Sequence, residues 1–211
     1  SLAGQAIGEA LILDCSRWLD SIIEIDPESQ TATVEPGGVL SSLNRAAANY
    51  GLMFGPDPAS AERATMGGVI ANNATGAHSI LYGMSADHLI SSDVVMADGS
   101  LATWGELTVE DERRKTKDDS LLSSFIFSAL EIREKYGEAI KQNYPSSWRN
   151  SAGYRLNYLL PFSPSKPPRW DGNYPNINPS TFNLSHLLAG SEGTLAVIRK
   201  MTVNLVRKPM H

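Results

Sequence analysis

The thirteen residues Ala64-Thr-Met-Gly-Gly-Val-Ile-Ala-Asn-Asn-Ala-Thr-Gly76 constrain this chain more than any other segment. Met66, Val69, Ile70 and Ala71 suit a short apolar helix, yet the same stretch holds a glycine pair, an asparagine pair and a third glycine. Each helical glycine costs roughly 1 kcal/mol relative to alanine, and asparagine prefers caps and turns. A sequence that accepts this brings backbone close to something. Without a Cβ, main-chain N–H groups can approach an anion, and the start of a helix favours negative charge there. Thr65 can cap the helix or donate its hydroxyl, while Asn72 and Asn73 are compact amide donors. The bland alternative is that paired glycines serve tight helix–strand packing.

Two other stretches favour the ligand. Asp57-Pro-Ala-Ser60 offers a turn with a hydroxyl, and Gly190-Ser-Glu-Gly193 offers a second loop suited to close approach. Together they predict a diphosphate-bearing cofactor held mostly by backbone. The pattern is neither a Rossmann fingerprint nor a P-loop, since no G-x-G-x-x-G follows a strand and no lysine follows the glycines.

Along the chain, Ala10 to Asp14 reads as a buried strand. Ser21–Asp26 and Gln30–Glu35 alternate as two more, joined by a turn at Asp26-Pro27-Glu28. Pro36-Gly37-Gly38 stops the second, and Val39–Tyr50 carries a helical stripe closed by Gly51. His88–Ala97 and Leu101–Trp104 flank Asp98-Gly99-Ser100, a hairpin signal. Glu110–Asp119 holds five acids and four bases, a solvated face whose signs nearly cancel. Leu122, Phe125, Ile126, Ala129, Ile132 and Tyr136 mark an amphipathic helix. Tyr158–Ser180 contains six prolines and predicts an irregular excursion, of the kind that often serves as a lid. Leu184–Leu188 reads as a helical turn, and Thr194–Val206 as strand-like runs. No internal repeat is present. This order predicts an α+β fold, its mixed or antiparallel sheet flanked by helices.

At 211 residues, 42% hydrophobic and 19% charged, the chain can bury one good-sized core or two small ones. A net charge of −5 offers no basic stripe for nucleic acid. One cysteine, Cys15, excludes an intrachain disulfide and fits a reducing compartment; it is expected to be buried and inert. No run approaches a membrane span and no leader pattern opens the chain. Asn73-Ala-Thr75 and Asn183-Leu-Ser185 match the glycosylation triplet by chance. The expected location is the cytoplasm, or the inner face of a membrane as a peripheral protein.

In combination the motifs are far more specific. "FGPDPAS…ATMGGVIANNATGAHSILYG…DHL…DVVMADG" resembles the second half of the FAD-binding domain (PCMH type) of the vanillyl-alcohol-oxidase-like flavoproteins. "RNSAGYRLNYLL" and "NLSHLLAGSEGTLAVI" are similar to the branch that oxidises D-2-hydroxy acids: D-lactate dehydrogenase, the glycolate oxidase flavoprotein subunit and D-2-hydroxyglutarate dehydrogenase, especially its large iron–sulfur-fused members.

The resemblance implies FAD as cofactor. By motif position, Pro56, Asp57 and Ser60 would line it, and Thr65, Met66, Gly67 and Gly68 would cradle phosphate. Ala71, Asn72, Asn73 and Gly76 would continue toward the flavin, with Tyr82 and Gly83 closing that wall. Gly190, Glu192, Gly193 and Val197 would lie near the adenine or flavin edge. Ala196 stands where many lactate-oxidising relatives have glycine. Leu2, Ala3, Gly4 and Gln5 match the tail of a P-R-G-G-G-T phosphate loop, so residues 1–36 read as the remainder of a first subdomain. Residues 37–208 read as the second, with an irregular insertion at about 158–182. A substrate domain with metal-binding histidines or iron–sulfur cysteines would follow Lys208.

Arg149 precedes the "AGY" motif where some relatives hold the substrate carboxylate, a task guanidinium suits through bidentate pairing. His78 could reach flavin, although a structural role is favoured. His88 and His186 lack partners at metal-ligand spacing, so no metal is expected. Tyr154 fits a core position or one near the flavin.

The resulting expectation is an FAD-binding domain of an oxidoreductase that passes hydride from a D-2-hydroxy acid to FAD, with an iron–sulfur module or quinone as electron acceptor. The 211 residues alone would bind FAD weakly or not at all and would be catalytically silent. Two alternatives stand: a non-catalytic binding module that kept the fold, and a related flavoenzyme acting on an alcohol or sugar derivative.

Overall fold

The computed structural model describes residues 9, 11–115 and 118–209. In chain order the elements are β1 (Ile22–Asp26), β2 (Thr31–Val34), α1 (Leu40–Ala48), β3 (Leu52–Met53), α2 (Met66–Ala71), α3 (Ser79–Tyr82) and β4 (Leu89–Val95). Then come β5 (Leu101–Trp104), β6 (Glu106–Thr108), α4 (Val109–Arg114), α5 (Leu121–Lys135), α6 (Gly137–Asn143), β7 (Thr181–Asn183), β8 (Val197–Asn204) and β9 (Val206–Arg207).

Five strands form one antiparallel sheet in the order β1-β2-β8-β4-β5. The last long strand, β8, therefore lies at its centre. Register explains the core: Ala32 faces Val203, Val34 faces Met201, and Leu89 faces Val203 from the other side. All five side chains are buried, with Leu40, Leu43 and Ala47 of α1 and Met66, Val69 and Ile70 of α2 in the same cluster. On the β5 side, Trp104 meets Phe125 of α5 at 5.2 Å between ring centroids. Residues on both sides of Pro36 thus share a single sheet. The small pairs β3–β9 and β6–β7 tie the loops to it.

Local chemistry sets most boundaries. The Asp26 carboxylate accepts from Glu28 N, Ser29 N and Ser29 Oγ, closing the first hairpin. Gly51 ends α1 at φ +68°, donating to Ala48 O. Ser120 caps α5 by accepting from Ser123 N at 3.1 Å, as its residue type favours. Asp98 takes Ser100 N and Oγ in the β4–β5 turn.

The predicted α+β class, with its antiparallel sheet flanked by helices, is what the chain adopts. Two local expectations fail. Residues 11–14 form no strand, and Leu11, Ile12 and Leu13 are 87%, 59% and 57% exposed. An apolar run becomes a strand only when an edge accepts its hydrogen bonds, and none of the described strands pairs with it. Cys15, expected to be buried, is half-buried; its carbonyl, rather than its thiol, is in tight contact, packed over Gly37. The excursion after Tyr158 is irregular as expected, apart from a 3₁₀ turn at Leu156–Leu159 that leads into it. Among the described residues, no helix is long and apolar enough to cross a membrane.

Candidate functional site

The segment after Pro58 makes a tight turn: Ala61 N donates to Pro58 O, and Arg63 N and Ala64 N donate to Ser60 O. The start of α1 fixes it from behind, Leu40 N bonding Ala64 O at 3.0 Å and Ser41 N bonding Ala61 O at 3.1 Å. Thr65 bridges to Val39, and α2 begins. Its first two amides are already committed: Met66 N donates to Gly38 O and Gly67 N to Pro36 O, each at 2.8 Å. Val69 N returns to Thr65 O. Gly68 N–H alone in this turn meets no acceptor among the described residues.

Gly68 opens on a cleft of about 450 Å³. Ser60, Arg63, Thr65, Gly68, Asn72 and Thr75 bound one side and Ser151, from the loop before Tyr154, the other. The lining therefore holds hydroxyls, an amide, a free N–H, one guanidinium and no carboxylate. Such a surface donates hydrogen bonds and attracts an anion.

The three glycines of the motif divide between the two readings. A Cβ at Gly68 would meet only Thr65 Oγ1, at 3.5 Å. At Gly67 it would press on Pro36 Cβ at 2.8 Å, and at Gly76 it would fall inside the Asp57 carbonyl. One glycine bares backbone to the cleft; two allow close packing of the chain on itself. The expected cradle of Thr65 through Gly68 thus reduces to Thr65 and Gly68, because Met66 is fully buried and both intervening amides are bonded internally.

Ser60 and Asn72 stand in the cleft. Others serve the scaffold. Pro56 is buried, and Asp57 Oδ2 pairs with His78 Nδ1 at 3.0 Å on the surface. Asn73, buried at φ +46°, accepts from Ala86 N through Oδ1 and donates to Asn150 O through Nδ2. Ala71 O receives Glu192 N at 3.0 Å, which docks the Gly190–Gly193 loop on α2. Gly190 (φ +84°) packs on the Gly153 carbonyl, whereas Gly193 (φ +80°) has open space around it. Val197 is exposed on β8. Arg149 lies over the Trp148 ring and donates from Nη2 to Gly76 O at 3.3 Å. Tyr154 is exposed, its hydroxyl 2.9 Å from Thr194 Oγ1. Leu2, Ala3, Gly4 and Gln5 lie outside the described residues.

Tyr82 and Gly83 are not in the lining of this cleft among the described residues. Tyr82 lines a second cavity of about 500 Å³ with Asp87, His88, Tyr158, Trp170 and His186. Here Asp87, Tyr158, Tyr174 and His88 are bonded within the protein. Asp87 accepts from Met84 N at 2.7 Å, Tyr158 OH at 2.6 Å and Tyr174 OH at 3.1 Å. Burial nevertheless pushes its carboxyl above the usual range, and burial with the adjacent Asp87 charge raises both tyrosines. His88 bridges the carbonyls of Tyr82 and Asn204, and burial lowers its pKa. Burial takes His186 down to about 4, and its Nδ1 has no partner. Beneath them Arg155 is buried, its guanidinium 4.7 Å from the Tyr158 ring centre and donating to Asn150 O. This larger cavity is a clasp that anchors the 158–180 excursion, so the smaller cleft is the candidate site. Among the described residues no group of three His, Cys, Asp or Glu side chains could hold a metal ion.

Sequence reasoning missed Arg63, Thr75 and Ser151. Arg63 left a signal: it is the only Lys or Arg between Arg45 and Arg113, and it directly precedes the Ala64–Gly76 motif. Ser151 left none, since Thr75 and Ser151 come to one cleft only in the folded chain.

Residues 1–105 match the family described as FAD binding domain. D-2-hydroxyglutarate dehydrogenase of Escherichia coli is 30% identical over 206 residues, covering 98% of this chain and 19% of that protein. D-lactate dehydrogenase of Archaeoglobus fulgidus is 28% identical over 206 residues, 97% of this chain and 31% of that one. Glycolate oxidase subunit GlcD of Bacillus subtilis is 38% identical over 95 residues, 45% of this chain and 20% of its own. The chain thus spans less than a third of the length of each of these relatives. A solved alkyldihydroxyacetonephosphate synthase shares the fold, with a TM-score of 0.50 at 21% identity over 92% of this chain and 23% of that one. With a family match over the glycine motif and relatives aligned over nearly the whole of this chain, the chain belongs to the FAD-binding domains of FAD-linked oxidoreductases and is a homologue of the D-2-hydroxy-acid dehydrogenases.

Proposed function

We propose that this chain holds FAD in the cleft between Ser60 and Ser151, within an oxidoreductase that oxidises a D-2-hydroxy acid. One observation carries the reading: a family-matched glycine segment opens, at Gly68, on a donor-rich cleft without a carboxylate. Bound flavin supplies the redox chemistry by accepting hydride; the protein supplies position and electrostatics. Gly68 N–H and the hydroxyls of Ser60 and Thr65 are suited to phosphate oxygens, and Asn72 to a neighbouring polar edge. Glu192, whose N–H docks on α2, Gly193 and Val197 form an exposed flank, open to the adenine or flavin end. Arg149, adjoining the Ser151 wall, would take the substrate carboxylate. Among the described residues the cleft lining holds neither carboxylate nor imidazole, so the base that removes the hydroxyl proton is assigned outside it. Electron release to an iron–sulfur module or a quinone, and a cytoplasmic or inner-membrane-face location, belong to the same proposal.

The test is made on the full-length protein. It should bind FAD and reduce an artificial acceptor with D-2-hydroxyglutarate, D-lactate or glycolate. Arg149→Ala should raise KM for that acid about tenfold or more, as loss of a charged hydrogen bond predicts, while kcat changes less. A full-length preparation that neither takes up FAD nor oxidises any of the three would refute the assignment, and an unchanged KM would remove Arg149 from it. The 211 residues alone are expected to bind FAD weakly and to turn over none of these acids, as titration and assay would show.

A further inference from the structure

We infer that Arg63 is the counter-charge for the diphosphate of the bound dinucleotide, a role that rests on the FAD reading above. Among the described residues Arg63 supplies the only formal charge in the cleft lining. Its side chain makes no ion pair or hydrogen bond with any described residue. The nearby acids are turned elsewhere: Glu62 pairs with Arg45 at 3.8 Å, and Asp57 with His78 at 3.0 Å. The backbone under Arg63 is held by its own N–H on Ser60 O and by the two α1 amides on Ala61 and Ala64. An unpaired cation is therefore presented from a fixed turn, beside the one free amide of α2, in a protein of net charge −5. Guanidinium meets phosphate oxygens in a bidentate fork that lysine does not reproduce. With two amides of the glycine turn consumed by Pro36 and Gly38, the side chain supplies what the backbone no longer can. A dinucleotide would be favoured over riboflavin, which carries no phosphate.

The experiment measures binding of FAD and of riboflavin to full-length apoprotein, by flavin fluorescence at low and high salt. The variants are Arg63→Ala and Arg63→Lys, with thermal melting to verify folding. Arg63→Ala should weaken FAD about tenfold to a hundredfold, leave riboflavin unchanged and flatten the salt dependence of FAD binding. Arg63→Lys should recover part of the loss. Equal FAD affinity and salt dependence in wild type and Arg63→Ala would overturn the role. An equal loss for FAD and riboflavin would overturn it too, by pointing to cleft shape instead of charge. Wild-type protein that binds no FAD would instead defeat the functional reading on which this one stands.

Discussion

Two of the concavities in this chain use polar residues in opposite ways. The larger, around Asp87, collects two carboxylates, two tyrosines and two imidazoles, with a buried arginine nearby. Asp87, Tyr158, Tyr174 and His88 are all hydrogen-bonded within the protein. The smaller, around Gly68, has plainer residues, yet its arginine and one amide are unpartnered among the described residues. Buried polar groups must be satisfied somewhere, because an orphaned group costs about 1–3 kcal/mol. Satisfaction from within builds structure; spare capacity at a surface invites a ligand.

The largest test of that contrast is a pair of glycines. Gly76→Ala places a methyl inside the Asp57 carbonyl, so the turn must move, at a cost of about 3 kcal/mol or more in urea unfolding. A variant as stable as wild type would show that this turn has room the packing denies. The clasp gives the next effect. His186 has its pKa depressed to about 4 by burial, against roughly 6.5 in an unfolded chain. The folded state then binds fewer protons, so stability is present above pH 6.5 and is lost as pH falls toward 4. Between pH 7 and pH 5, wild type should lose about 1–2 kcal/mol more than His186→Gln, allowing for partial exposure. His88 acts in the same direction. Asp87, raised by burial, acts oppositely, adding stability as pH falls below its folded pKa. Parallel curves for wild type and variant would mean that His186 finds a proton acceptor in solution.

The smallest effect belongs to Gly68→Ala. Alanine suits a helix better by up to about 1 kcal/mol, and only Thr65 Oγ1 stands near the new methyl. Stability should hold or rise slightly while FAD affinity of the full-length protein falls about threefold to tenfold, the scale of a close polar contact disturbed. If Gly68→Ala destabilised as Gly76→Ala does, the open and packed glycines would not differ in kind.

Much of the scaffold was legible from short-range chemistry. The alternation of β2, the stripe and glycine stop of α1, the Asp98 turn and the Ser120 cap all depend on neighbours a few residues away. The apolar run at 11–14 misled because a strand also needs an edge to pair with. The candidate site was half legible: Ser60, Thr65, Gly68 and Asn72 came from the motif, but Met66, Gly67, Asn73 and Gly76 in the same motif turned out to face the protein. Arg63 was visible as a lone base and passed over because the glycines drew the reading toward backbone.

By itself the sequence determined the α+β class, the family and the segment that would matter, since those are carried by local period, capping and ordered motifs. Only the tertiary structure decided which glycine is open. That depends on Pro36 arriving beneath Gly67, Asp57 lying against Gly76 and Ser151 closing the cleft from the far end of the chain. Contacts between residues so far apart in the chain arise from packing the whole core, and no local pattern encodes them.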